Sequence, residues 1–238
     1  MEIISYKGFI ANAFFVKDGE TVYAVDTTDM HGEEFFLEQC EKAGIRPEQI
    51  KLIIITHGHV DHFANLPAMK KLTGAPVLCH KKAERFLTNG LPPEVIARTH
   101  IGEICLMVMA KMKEGPGGVP PKVTPDILVE GDVDLSPWGI PGKIIETPGH
   151  SDNDISIIFP NKEAVIGDLF AAPGMEENGV MSCFMYPGAR FEEAEESVEK
   201  LLKEDAEKFW LGHGKPCDRA YIEKLLSEEK AEKAAEQK

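Results

Sequence analysis

The chain has 238 residues, room for one large domain or two small ones. Hydrophobic residues at 43% and charged residues at 28% exclude a disordered or fibrous chain and fit an ordinary globular protein. A formal charge of −14 argues against a nucleic-acid partner, because an acidic surface repels phosphate backbones.

Apolar alternation predicts strands at Ile3–Ile4, Phe9–Val16 and Thr21–Val25, the last two joined by a Lys17-Asp18-Gly19-Glu20 turn. Glu33–Ala43 carries Phe35, Phe36, Leu37 and Cys40 on one face and stops at Gly44, a helix signature. After the loop Ile45–Gln49, the β-branched run Leu52–Ile55 predicts a strand buried on both faces. A helix is expected over Ala64–Leu72, ending near Gly74; then a strand over Pro76–His80, with His80 a strand-end residue rather than a ligand, and a helix over Lys81–Leu87. Lys81, Lys82 and Arg85, the one modest basic cluster, read as that helix's solvated face.

An apolar, helix-like stretch from Val95 to Lys113 includes Met107, Met109 and Met112, and the glycine- and proline-rich Gly115–Pro121 cannot continue it. Strands resume at Ile127–Glu130, Val133–Leu135 and Lys143–Thr147, followed by a hairpin, Ile155–Phe159 and Ala164–Ile166, across Pro160–Glu163. Helices over Phe191–Asp205 and Asp218–Gln237 flank a last short strand, Lys208–Leu211. Cys40, Cys79, Cys105, Cys183 and Cys217 are odd in number and form no Cys-x-x-Cys pair, so they read as reduced thiols in a cytoplasmic protein. The amino terminus lacks a signal-peptide pattern, and the longest apolar run, Ile104–Ala110, is too short for a membrane span.

The buried strand Leu52–Ile55 opens directly into Thr56-His57-Gly58-His59-Val60-Asp61-His62, which holds four potential metal ligands within six positions. Three imidazoles and a carboxylate crowded together need a hydrogen-bond or metal partner if buried, and such a cluster at a strand mouth points to a metal site. His57 and His59, with one glycine between them, can converge from a single turn, while Asp61 and His62 start the next helix and point to the other side.

This segment resembles the His-x-His-x-Asp-His motif of the metallo-β-lactamase superfamily. Three later segments resemble the family's remaining ligand sites: Thr147-Pro148-Gly149-His150-Ser151, Ile166-Gly167-Asp168-Leu169-Phe170 and Leu211-Gly212-His213-Gly214. Family members often have glycines after the last histidine of the first motif, where Phe63 and Ala64 stand here. The resemblance implies an α+β fold, a four-layer αββα sandwich, as a single domain over residues 1–238. It further implies one metal on His57, His59 and His150, a second on Asp61, His62 and His213, and Asp168 bridging them. Asp26 would support the metal loop from behind, and Asn12 occupies a first-hairpin position where the family often has asparagine.

By the same resemblance the cofactor is two divalent ions, zinc favoured by the His/Asp donors, with iron or manganese also accommodated. Two ions about 3.5–4 Å apart can share a water whose pKa falls to about 7, giving hydroxide to attack a carbonyl. Asp61 and Asp168 are then catalytic as well as ligating, and Tyr186 could donate a hydrogen bond to a carbonyl oxygen, as in lactonases. No Gly-x-Ser-x-Gly nucleophile motif is present. The chain resembles the glyoxalase II and lactonase end of the superfamily, which implies a small thioester, ester or lactone substrate. It lacks the basic carboxyl-terminal set by which glyoxalase II grips glutathione. The alternatives are an RNase-Z-like phosphodiesterase, opposed by the charge, and an iron-dependent redox enzyme of sulfur-dioxygenase or diiron type. Flavodiiron proteins usually carry a glutamate where His59 stands. Residues 98–121 interrupt the family pattern and are expected to act as a lid or as a homodimer contact.

Overall fold

The computed structural model describes residues 1–30, 32–98, 100–111, 118–170, 184–190 and 192–236. Contacts divide the chain into two compact units, Met1–Pro93 with Val108–Val133 and Glu94–Met107 with Asp134–Lys238.

In the first unit, strands β1 (Glu2–Lys7), β2 (Asn12–Asp18) and β3 (Thr21–Val25) run antiparallel. Strand β3 then pairs in parallel with β4 (Ile50–Ile55), and β4 with β5 (Val77–His80). Helix α1 (Glu33–Lys42) lies between β3 and β4 in the chain; α2 (Val60–Phe63) and α3 (Leu66–Thr73) lie between β4 and β5, and α4 (Glu84–Asn89) follows β5. The parallel strands read as continuous apolar runs because both faces are covered: in β4 only Lys51 is exposed. Each of its large aliphatic residues contributes roughly 1.5–3 kcal/mol by leaving water. The core of this unit gathers Phe15, Phe36, Ile53, Ile55, Phe63, Leu66 and Met69.

Two short elements come next, β6 (Ile96–Ala97) and α5 (His100–Met109). Strand β7 (Ile127–Val129) returns to complete the first sheet, in the order β1-β2-β3-β4-β5-β7.

The second unit contains β8 (Val133–Asp134), β9 (Lys143–Glu146), β10 (Ile155–Ile158), β11 (Glu163–Val165), β12 (Phe184–Met185), α6 (Glu193–Lys203), β13 (Lys208–Trp210), β14 (Cys217–Asp218) and α7 (Arg219–Glu236). Its six-stranded sheet runs β14-β13-β11-β10-β9-β8, with β11 and β13 parallel. Val198 and Leu201 of α6 and Ile222 and Leu225 of α7 join Phe209, Ile145 and Ile166 in its core. Strand β12 pairs with β6 as a separate antiparallel ribbon, Phe184 opposite Ala97 and Met185 opposite Ile96.

Several boundaries differ from the sequence expectations, each for a physical reason. The strand expected from Phe9 starts at Asn12, because the amides of Phe9, Ile10 and Ala11 donate to the Asp29 carboxylate instead of to a neighbouring strand. The helix expected over Ala64–Leu72 starts at Leu66 as α3, with Pro67 in its first turn, where a missing amide costs nothing, and the separate short α2 precedes it. The stretch Val95–Lys113 is not one helix: Ile96–Ala97 is extended and, among its described residues, only His100–Met109 is helical. Within the proposed lid or interface segment 98–121, residues 99 and 112–117 lie outside the described residues, as do Cys183 and Phe191. Among the described residues, no helix is long and apolar enough to cross a membrane.

Candidate metal centre

The first ligand set is built by the end of β4. Its last residue, Ile55, is fully buried, and the chain turns through Thr56, His57 and Gly58 before α2 begins. Gly58 is required here by space: a Cβ would lie 2.6 Å from the ring of Phe86. That close approach lets His57 and His59 face each other, His57 Nε2 being 3.0 Å from His59 Nδ1. The separation is near the roughly 3.3 Å expected between two imidazole donors on one tetrahedral ion.

The buried partners behind these rings set their tautomers. Asp26, fully buried at the end of β3, accepts from Thr56 N at 2.8 Å and from the Thr56 hydroxyl at 2.8 Å. Its Oδ2 also lies 2.9 Å from His62 Nδ1. A carboxylate only accepts, so His62 carries its proton on Nδ1 and turns the Nε2 lone pair outward. The Thr56 hydroxyl spends its proton on Asp26, so the His57 Nδ1 3.1 Å away must be the donor to it. His57 therefore also presents Nε2 as a lone pair. Asp61 in α2 brings a carboxylate oxygen to 3.9 Å from His62 Nε2. The support expected from Asp26 is thus present and extends through Thr56 to His57, a link that the sequence reading missed.

The second ligand set comes from three loops of the other unit. After β9, the turn Thr147-Pro148-Gly149-His150 is held by Asp154, whose carboxylate accepts from Ser151 N and Ser151 Oγ, each at 2.6 Å. Asp154 was not singled out from the sequence, though a serine three residues before an aspartate is a recognisable local-turn spacing. After β11, Gly167 offers its carbonyl to Gly212 N at 2.7 Å, which brings the loop after β13 beside Asp168. Asp168 Oδ2 then lies 3.1 Å from His213 Nε2 and 3.7 Å from His150 Nε2. One carboxylate oxygen thus faces two imidazoles. His150 and Asp168 are almost wholly buried, and His213 is partly exposed.

Within each unit the donor atoms are close enough to share an ion: those of His57 and His59, of Asp61 and His62, and of His150 and Asp168 lie within 4.8 Å of each other. All-imidazole and carboxylate donors suit zinc, iron or manganese, so the residues present fit divalent ions. Tyr186, just after β12, donates its hydroxyl to Glu193 at 2.5 Å. Burial and this bond to Glu193 push its pKa well above the usual tyrosine value, so it stays a protonated donor. His80 is buried at the end of β5 with its Nδ1 accepting from Lys82 N at 3.2 Å, consistent with a structural strand-end histidine.

Fold and donor set define a metallo-hydrolase of metallo-β-lactamase type, α+β in class. The chain belongs to the metallo-β-lactamase superfamily, whose family model matches residues 6–213. It is 26% identical over 213 residues to a probable metallo-hydrolase of Methanocaldococcus jannaschii, a match covering 89% of this chain and 91% of that protein. A second relative, the probable metallo-hydrolase YybB of Bacillus subtilis, is 33% identical over 82 residues, 34% of this chain and 35% of its own length. Among solved structures, the B3 metallo-β-lactamase BLEG-1 superposes with a TM-score of 0.67 at 17% identity, covering 91% of this chain and 94% of that one. The protein TTHA1623 in a di-iron-bound form superposes with a TM-score of 0.66 at 19% identity, covering 92% and 94%. At these identities the superpositions establish the fold.

Proposed function

We propose that the two ligand sets hold two divalent ions, His57, His59 and His150 on one, Asp61, His62 and His213 on the other, with Asp168 bridging. The observation that carries this reading is the single Asp168 oxygen facing both His150 and His213; in the other unit, His57 and His62 have tautomers preset for coordination. Such ions lower the pKa of water toward neutrality and polarise a carbonyl. The chain's own part is positional. Asp26 and Thr56 lock His62 and His57, Asp154 locks the His150 turn, and Asp61 and Asp168 supply the anionic donors next to the reacting centre. The chemistry is then hydrolysis by activated water, on the small thioester, ester or lactone that the resemblance to the glyoxalase II and lactonase end of the superfamily implies.

Zinc is the ion this donor set favours, and the likeness to a protein that has been crystallised with two irons keeps iron as the second reading. Elemental analysis after metal-replete purification tests both: two ions per chain are expected, and one or none with all seven ligands intact would sink the two-ion proposal. A parallel panel of thioester, lactone and phosphodiester substrates should give turnover on the first two. Turnover of the phosphodiester alone would overturn the substrate class.

A further inference from the structure

The ribbon formed by β6 and β12 carries a side chain from each strand onto the same turn of α6. Tyr186, directly after β12, donates to Glu193 at 2.5 Å. Arg98, directly after β6, is ion-paired with Glu195 at 3.8 Å, and their side chains are only 6% and 8% exposed. Two residues of α6 lie between or beyond these anchors and meet the His150 turn. Ala194 packs so closely on Gly149 that a Cβ on that glycine would fall 2.6 Å from Ala194 Cα and Cβ. Ser197 Oγ donates to the carbonyl of Pro148 at 2.7 Å.

A continuous path therefore runs from the ribbon, through Glu193 and Glu195, to Gly149, the residue before His150. Resting on the two-ion reading above, we infer that Arg98 and Tyr186 are positioning residues that set the placement of His150 through the first turn of α6. A buried guanidinium and carboxylate hold each other strongly, since either left alone would be an uncompensated buried charge. Tyr186 adds a directional bond on the other strand. With two anchors the ribbon cannot pivot on either one. Tyr186 on this view acts on the metal ligand rather than on a substrate carbonyl.

The test loads Co²⁺ into the metal-stripped protein and follows binding of each ion, the visible absorption of the bound cobalt and the Tm, in wild type, Tyr186→Phe, Arg98→Met and Arg98→Lys. Tyr186→Phe and Arg98→Met are expected to weaken one of the two Co²⁺ ions by roughly tenfold, the lower range for residues that orient a ligand, and to shift its absorption. Arg98→Lys keeps the charge and should recover part of the loss. If Tm falls while both affinities and the spectrum stay at wild type, the network is structural only and the inference is wrong. Should Arg98→Met fail to fold, Tyr186→Phe, which removes one hydroxyl, decides alone. Wild type binding fewer than two Co²⁺ ions would instead defeat the two-ion reading, and this inference would fall with it; two ions in wild type with unmoved variants defeats the inference only.

Discussion

Asp26 and Asp168 carry contrasting duties, and single-atom substitutions separate them. Asp26→Asn keeps an oxygen for Thr56 N but puts an amide against the atoms that Oδ2 serves, the Thr56 hydroxyl and His62 Nδ1. An amide there donates, so His62 must take the other tautomer and place its proton on Nε2, the coordinating face. We expect metal affinity to fall by about 10–100-fold, as for other partners that orient a ligand, measured by competition with a chromophoric chelator. Asp168→Asn removes the anionic oxygen that faces His150 and His213 while conserving volume. It should lose most activity and weaken at least one ion with the circular dichroism spectrum unchanged; full hydrolytic activity would show that the bridge is dispensable. Neither aspartate required the fold to be noticed. Thr56, Asp154 and Phe86 did, because their roles depend on neighbours that the chain brings close only when folded.

At the scale of elements, Gly58 and Phe86 offer a direct test of how the metal turn is packed. Gly58→Ala forces a Cβ into the Phe86 ring and should cost about 1–3 kcal/mol in chemical denaturation, the usual range for overpacking. Adding Phe86→Leu should return part of that loss, and if it returns none, the contact is not what excludes the side chain. The segment 98–121 is tested by replacing Thr99–Pro120 with a short Gly-Ser linker and reading metal content, mass and substrate preference together. Altered preference with both ions retained marks a lid; altered mass marks a dimer contact; three unchanged readings mark an inert insertion. Ile104, Met107 and Val108 of α5 are exposed, which gives that helix apolar surface for either role.

What was legible in the sequence follows the range of the interactions. The buried run of β4, the Asp18-Gly19 turn and α1 are local patterns and lie where the sequence placed them, except that Leu37, expected on the apolar face of α1, is exposed while Phe36 and Cys40 are buried. The ligand motifs were legible because donor chemistry is concentrated in few residue types. The β6–β12 ribbon was not, since two-residue strands leave no period to read and their partners are 87 residues apart at Ala97 and Phe184. The same holds for the Arg98–Glu195 and Tyr186–Glu193 pairs, where ordinary surface residue types are joined by long-range geometry.

Across the whole molecule, the thiols respond to pH in a way that reports burial. Burial, with smaller contributions from Glu48, Glu84 and Asp218 respectively, pushes Cys40, Cys79 and Cys217 from an ordinary value of 9.0 up to about 12. A raised folded pKa means the neutral thiol is favoured by the native state. That stability is complete below the unfolded pKa and is lost as pH rises through the folded one. The Tm should therefore fall between about pH 9 and pH 12, and serine in place of Cys79 should flatten the decline if the thiols cause it. In native protein at pH 8, a thiol reagent should reach Cys105, which is only half-buried, well before these three.

The division of ligands along the chain also has a consequence for biogenesis. Asp26, Thr56, His57, His59, Asp61, His62 and Phe86 all belong to the first compact unit, whose last residue, Val133, precedes His150. Synthesis runs from the amino terminus, so His57, His59, Asp61 and His62 are made before any residue of the second set. During that interval these donors are available to divalent ions without His150, Asp168 or His213. Metal supply during synthesis is therefore expected to affect which ion the purified protein holds, and elemental analysis of protein made under zinc-rich and under iron-rich supply checks this.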